Sequence, residues 1–123
     1  MIDKADRLAL FLLLSAVFTG CAEYDHVVFS DVHGATDRAA LANEGITLVQ
    51  GYAVAATSKA IDSNNDEMDD LTLHSDDSAP IGVAPGPDSG TYVFYGRTVG
   101  TGIIRVRVEG DQVATIPITV VPQ

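Results

Sequence analysis

The strongest constraint on the fold is a strict alternation of apolar and polar side chains near the end of the chain. From Ile104 to Glu109, aliphatic residues alternate with arginine and glutamate, and after a Gly-Asp turn a second alternating run reaches Val121. Successive side chains of a β-strand point to opposite faces of its sheet, so the pattern predicts two paired strands with one buried face. The arginines are then exposed, and the predicted buried residues are Ile104, Val106, Val108, Ala114, Ile116, Ile118 and Val120.

Shorter extended segments fill most of the remaining chain. Together with the two C-terminal strands they predict about seven strands at 8–12-residue spacing, which is typical of an all-β sandwich. Pro117 has no amide hydrogen, so we expect the last strand to lie at a sheet edge or to carry a bulge there. The other predicted strands are 26–29, 46–49, 52–61 (with Val54, Ala56, Ser58 and Ala60 on one face), 71–74, 81–83 and 91–95.

One short segment has the signals of a helix instead. Thr36 can act as an N-cap, an Ala- and Leu-rich stretch follows, and Gly45 stands at the end. These start and stop signals predict a helix of one to two turns near residues 36–44.

The N-terminal segment reads as an export signal. The apolar run from Leu8 to Phe18 would rise about 16 Å as a helix, about half of the hydrocarbon core of a bilayer, which suits a signal peptide better than a membrane span. The segment Val17-Phe18-Thr19-Gly20-Cys21 resembles the lipobox of bacterial lipoproteins, although Phe18 stands where leucine is usual and Asp3 and Asp6 dilute the positive charge before the run. An ordinary signal peptide with an incidental cysteine and a short core helix are the alternatives.

The resemblance implies that the thiol of Cys21, the single cysteine, is modified with diacylglycerol and that cleavage then leaves Cys21 as the first residue. It divides the chain into a signal peptide (1–20), a lipidated tether (21–25) and a globular domain (26–123). Since Ala22 rather than aspartate follows the cysteine, the resemblance implies the outer membrane in a Gram-negative organism. We expect the lipid to hold the protein on the membrane. We expect its binding partner, if it has one, to be another envelope protein.

A second resemblance covers residues 46–121. The segments Ile46–Gly51, Ala55–Thr57, Ser75–Pro80, Val99–Val106 and Glu109–Val121 are similar to strands and turns of bacterial Ig-like domains of the invasin and group-2 kinds. This implies an Ig-like β-sandwich that serves as a non-enzymatic binding or structural module. As an alternative alignment, residues 88–94 look like the tyrosine corner of an immunoglobulin strand F, which would make 102–109 the last sandwich strand.

The acidic run 62–70 is the main candidate for a binding site. Asp62, Asn64, Asp66 and Asp70 occupy positions 1, 3, 5 and 9 of an EF-hand loop, but Glu67 replaces the glycine at position 6 and Leu73 replaces the glutamate at position 12. An EF-hand is therefore excluded, and a looser Ca²⁺ site or a merely solvated loop remains. Repulsion from an anionic bilayer would point this loop away from the lipid.

Little else in the sequence suggests chemistry. No nucleophile motif or phosphate loop is present, so we expect no enzyme and no cofactor other than the weak Ca²⁺ candidate. The net charge of −10, with seven Lys and Arg, argues against nucleic-acid binding. The sequence therefore predicts a membrane-anchored envelope lipoprotein. The alternatives are calcium-dependent adhesion, metal handling (Asp25, His26, Asp31 and His33 suit a transition metal by type) and an accessory subunit of an envelope enzyme.

Overall fold

A computed structural model describes residues 23–123, and these fold almost entirely as β-strands. The predicted signal helix and Cys21 lie outside the described residues. The strands are β1 (Tyr24–Gly34), β2 (Ala39–Ala42), β3 (Gly45–Val49), β4 (Ala53–Asp62), β5 (Glu67–Met68), β6 (Leu71–His74), β7 (Ile81–Pro85), β8 (Thr91–Gly96), β9 (Gly100–Val108) and β10 (Asp111–Val121).

The strands form two five-stranded sheets. The first has the order β1-β4-β8-β7, with the two-residue β5 paired to β4, and the second has the order β2-β3-β10-β9-β6. Strands β1, β4, β8 and β7 against β6, β9 and β10 correspond to the four-plus-three arrangement of an immunoglobulin constant domain. Within the described residues β3 and β10 pair in parallel, whereas the other ladders are antiparallel. The predicted Ig-like β-sandwich is confirmed, with β2, β3 and β5 as additions to seven strands.

The core fills the space between the two sheets and consists of aliphatic and aromatic side chains. The inward-facing residues of β9 and β10 are buried as the alternation predicts, and Ile116 lies opposite Ile104 in the ladder. Arg107 on the outer face is exposed, while Arg105 is half-buried beside Asp76. The fully buried large residues are Phe94, Ile46, Leu48, Ile81, Ile104, Ile116, Ile118, Val54, Val106 and Val120.

The predicted helix near residues 36–44 is wrong. Residues Thr36–Arg38 form a single 3-10 turn whose N-terminal cap position is Ala35, with no side-chain cap hydrogen bond. The chain then becomes β2, which pairs with β3 from Ala39 opposite Leu48 to Ala42 opposite Gly45. A helix this short is unstable without packing, and here the backbone gains a full ladder on an existing sheet instead.

Two expectations about the C-terminal strand are also wrong. β10 lies inside the second sheet, paired with β9 and β3, so Pro117 is not in an edge strand and residues 102–109 are not the last strand. The bulge in β10 falls between Gln112 and Ala114 rather than at the proline. Pro117 is tolerated where it is because the ladder to β3 begins only at Ile118, one residue later.

The four outer strands present short or irregular edges. β2 and β6 have four residues each, and β7 has five and ends at Pro85. The eleven-residue β1 is interrupted by register shifts between Tyr24 and His26 and between Ser30 and His33. At the second shift Asp31 has a positive φ of 50°, which kinks the strand. Such features discourage pairing with another chain.

Arg97 fixes the connection from β6 to β7, which crosses between the sheets. Its Nη2 lies 3.1, 3.0 and 3.0 Å from the carbonyl oxygens of Asp76, Ala79 and Ile81, respectively. Its backbone N–H donates to the Pro80 carbonyl at 2.7 Å. One guanidinium nitrogen therefore lies within hydrogen-bond distance of three carbonyl oxygens at the point where the chain leaves one sheet for the other.

We expect Ile116→Ala to lower the free energy of unfolding by about 2–5 kcal/mol, because it leaves a cavity between two close-packed sheets. Urea unfolding followed by circular dichroism measures the change. Thr115→Ala, the outward neighbour, is the matched control and should change stability by less than about 0.5 kcal/mol. Equal effects of the two substitutions would contradict the assigned strand faces.

We expect Arg97→Lys to lower the free energy of unfolding by about 1–3 kcal/mol, because the lysine side chain is shorter and its ammonium does not reach the position of Nη2 among the three carbonyls. Arg107→Lys, on the exposed face of β9, should be close to neutral. Thermal unfolding of both variants tests this. A neutral Arg97→Lys would show that the β6–β7 connection is held by its backbone bonds alone.

Candidate functional site

Most of the carboxylates lie at one end of the sandwich. The start of β1 pairs with the end of β4 (Tyr24 opposite Asp62), and the start of β6 pairs with the end of β9. Backbone bonds join the turns there, from Ser58 N–H to the Gly90 carbonyl and from Glu109 N–H to the Asp70 carbonyl. We call this end the acidic pole, and its acidic residues are Glu23, Asp25, Glu44, Asp62, Asp66, Glu67, Asp69, Asp70, Asp88, Glu109 and Asp111.

The opposite end of the sandwich carries much less charge. It holds four acidic residues in the β1–β2 and β6–β7 regions, and arginines lie among them. Arg105 Nη2 is 3.3 Å from a carboxylate oxygen of Asp76, and Arg38 Nε is 3.9 Å from one of Asp37. The other two are Asp31 and Asp77. The molecule is therefore electrically polar along its strands, which net charge alone does not reveal.

Within the pole, the loop after β4 is built around one carboxylate. Asp62 Oδ1 accepts hydrogen bonds from the backbone N–H groups of Asn64 (2.8 Å) and Asp66 (2.9 Å). The Asp62 N–H donates to the Asp66 carbonyl at 2.9 Å, and Asn65 turns the chain with a positive φ of 69°. This is an Asx-type turn, in which the aspartate supplies the acceptor that the bending backbone needs. Asp62 thus has a structural role in its own loop.

The predicted calcium ligands divide between two places. Asn64 and Asp66 lie on the Asp62 turn, whereas Asp70 follows β5 and bonds through its carbonyl to the β9–β10 turn. Between residues 23 and 123, no group of three His, Cys, Asp or Glu residues is placed so that it could hold a metal ion. Any cation at this end would therefore have to recruit carbonyl groups and water.

The two histidines of the alternative metal site bond to local partners. His26 Nδ1 lies 2.7 Å from a carboxylate oxygen of Asp25, and His33 Nδ1 lies 2.9 Å from the carbonyl oxygen of Asp31. The second irregularity of β1 lies between them, and they are seven residues apart along the strand. The structure therefore pairs each histidine with its neighbour rather than with the other.

An open cavity of about 500 Å³ adjoins the acidic loop. Lys59, Glu67, Asp69 and Ser89 lie on its walls, and Lys59 Nζ is 3.7 Å from a Glu67 carboxylate oxygen. Ser58 also borders it and is 3% exposed, with a hydroxyl that has no hydrogen-bond partner within the described residues.

Asn43 secures the start of β1, a role that the sequence did not reveal because the residue fell in the predicted helix. Its Oδ1 accepts hydrogen bonds from the Tyr24 hydroxyl (3.3 Å) and the Val27 N–H (3.0 Å).

Burial, and secondly the nearby Asp25 carboxylate, raise the pKa of the Tyr24 phenol. The resulting stabilisation is complete below the unfolded pKa of about 10 and is lost as the pH rises through the folded pKa.

The chain enters the sandwich within the acidic pole. The Glu23 carbonyl accepts a hydrogen bond from Ser63 N–H at 2.8 Å, so the first described residue touches the acidic loop. Two peptide units separate Cys21 from Glu23, which limits the distance between their Cα atoms to about 7.6 Å. The expectation that loop 62–70 points away from an anchor at Cys21 is therefore wrong, because antiparallel pairing returns the end of β4 to the start of β1.

The fold resembles domains of a bacterial surface-layer protein. Domains 4 and 5 of the S-layer protein SbsC match 77% of this chain with 17% sequence identity and a TM-score of 0.50, and the chain spans 53% of that structure. A structure of SbsC domains 5–6 matches the same share at 17% identity with a TM-score of 0.51, and the chain spans 45% of it. At this identity the likeness concerns the fold.

The remaining comparisons find nothing further. The chain matches no protein-family model and no curated protein. In the part of the chain from residue 23 onward, no helix has the length and apolar character needed to cross a bilayer.

We expect Ca²⁺ to bind residues 22–123, which contain the complete core, no tighter than about 10⁻⁴ M, because the Asp62 carboxylate is occupied by its turn. Titration with CaCl₂ while following the melting temperature measures this. Asp62→Asn keeps the acceptor oxygen but removes the charge, so it is the matched control. A large stabilisation at micromolar Ca²⁺ that Asp62→Asn abolishes would establish a calcium site.

Proposed function

We propose that this protein is a lipid-anchored, non-enzymatic structural module of the bacterial cell envelope, with Cys21 as the lipid attachment site. The observation that carries the proposal is the placement of the lipobox-like segment Val17–Cys21 directly before the sandwich. Only Ala22 separates the cysteine from Glu23, whose carbonyl already bonds to Ser63. A tether of this length holds the folded domain against the membrane surface.

The fold supports a position at the cell surface. The architecture is shared with domains of an S-layer protein. The core between the sheets is formed by aliphatic and aromatic side chains. In a Gram-negative organism we place it at the outer membrane.

A structural role fits the distribution of polar groups better than catalysis does. The described carboxylates of the acidic pole are exposed, apart from the half-buried Asp62, and the cavity there is open and polar. An enzyme site normally combines a concave, largely apolar pocket with a few convergent polar groups. The interior between the sheets is instead filled by close-packed aliphatic side chains that stiffen the domain.

Cys21→Ser tests the anchor. We expect the variant to incorporate no labelled palmitate and to move from the membrane fraction to the soluble fraction, because the thiol is the acylated group. Its circular dichroism spectrum should be unchanged, since Cys21 precedes all strands of the described residues.

Phe18→Leu is the matched control, because it brings the segment closer to the lipobox pattern and leaves the cysteine in place. It should retain palmitate labelling and membrane association. If Cys21→Ser stays in the membrane fraction as completely as Phe18→Leu, lipid anchoring at Cys21 is refuted.

A further inference from the structure

We propose that the acidic pole holds the anchored domain off an anionic bilayer, so that ionic strength sets the height of the domain above the membrane. The inference rests on the lipid anchor at Cys21 proposed above. It follows from the place where the chain enters the fold rather than from a binding site. The pole acts as a spacer because it is repelled by the bilayer, and this electrostatic repulsion depends on the salt concentration.

The first step is distance. An anchor on Cys21 lies within about 7.6 Å of Glu23, and the Glu23 carbonyl bonds directly to the acidic loop through Ser63. The screening length is about 8–10 Å at physiological ionic strength and about 30 Å at 0.01 M. The nearest carboxylates of the pole are therefore inside the range of the surface potential, and at low salt the whole pole is.

The second step is that the domain cannot turn its charge away. The pole surrounds the entry point, with Asp62 paired opposite Tyr24 and the Asp70 carbonyl bonded to the β9–β10 turn. All its acidic residues except the half-buried Asp62 are exposed to solvent. Rotation about the anchor moves the weakly charged far end and leaves the pole beside the lipid.

The third step is the contrast between the two ends. The far end carries four acidic residues interspersed with Arg38, Arg97 and Arg105, so it is close to neutral. The repulsion thus acts at the anchored end alone. Lowering the salt concentration should extend the tether and lift the domain, and raising it should let the domain settle on the headgroups.

The test uses the single cysteine as a chemical anchor. Purified residues 21–123, which contain the complete core, are coupled through Cys21 to a maleimide lipid in planar bilayers, and neutron reflectometry measures the height of the protein layer. One bilayer is zwitterionic phosphatidylcholine and the other contains anionic phosphatidylglycerol. At 10 mM NaCl we expect the layer to stand several ångströms higher on the anionic bilayer, within the tether limit of about 7.6 Å. At 1 M NaCl the difference should vanish.

Charge-matched variants separate the pole from overall charge. Asp66→Asn/Asp69→Asn/Asp88→Asn removes three charges from the pole, and Asp31→Asn/Asp37→Asn/Asp77→Asn removes three from the far end. The first should reduce the height difference at 10 mM NaCl, and the second should leave it unchanged. Equal heights of the wild-type layer on both bilayers, or equal responses of the two variants, would overturn the proposal.

A calcium series at matched ionic strength completes the design. If CaCl₂ lowers the layer no more than NaCl does, screening explains the effect and the proposal stands. If Ca²⁺ lowers it at ionic strengths where NaCl does not, cations bridge the pole to the lipid and the spacer role is overturned. Because the coupling is chemical, these results do not depend on native acylation, which the Cys21→Ser fractionation tests separately.

Discussion

The sandwich depends on the two ladders of β10. This strand pairs with β9 along nearly its whole length and with β3 in parallel over its last four residues. The first ladder is a local hairpin, but the second joins segments about seventy residues apart, so its closure brings distant parts of the chain together. The inward residues of β10 then form one wall of the core, against which Phe94 and Val54 of the other sheet pack. Loss of this strand would open both the sheet and the core.

The sequence predicted those parts of the fold in which burial alone decides the structure. The alternation in β9 and β10, and the inward face of β4 with Val54 and Ala56, follow from period-two burial and appear as expected. Residues 36–42 were predicted wrongly because local helix signals were weak and the partner strand β3 supplied a ladder that no local pattern announces. The contacts of Arg97 with three carbonyl oxygens likewise depend on where the chain crosses between the sheets, and composition does not predict that crossing.

The candidate site could be predicted in its residues but not in its arrangement. The acidic loop 62–70 is obvious as a charge run, yet its neighbours at the pole come from the β7–β8 and β9–β10 turns and from the chain entry. Which turns share an end depends on the direction of every strand in both sheets. The role of Asp62 as the acceptor of its own turn also required geometry, because the same residue at the same spacing would suit a metal ligand.

The irregular edges of the sheets have a consequence for a protein confined to a surface. The lipid anchor proposed above would concentrate copies in two dimensions and bring their flanks into frequent contact. The short β2 and β6, the proline that ends β7 and the two irregularities of β1 offer a colliding neighbour no long row of free amide and carbonyl groups. Even at high surface density, such domains would stay laterally mobile and would not join into extended intermolecular β-sheets.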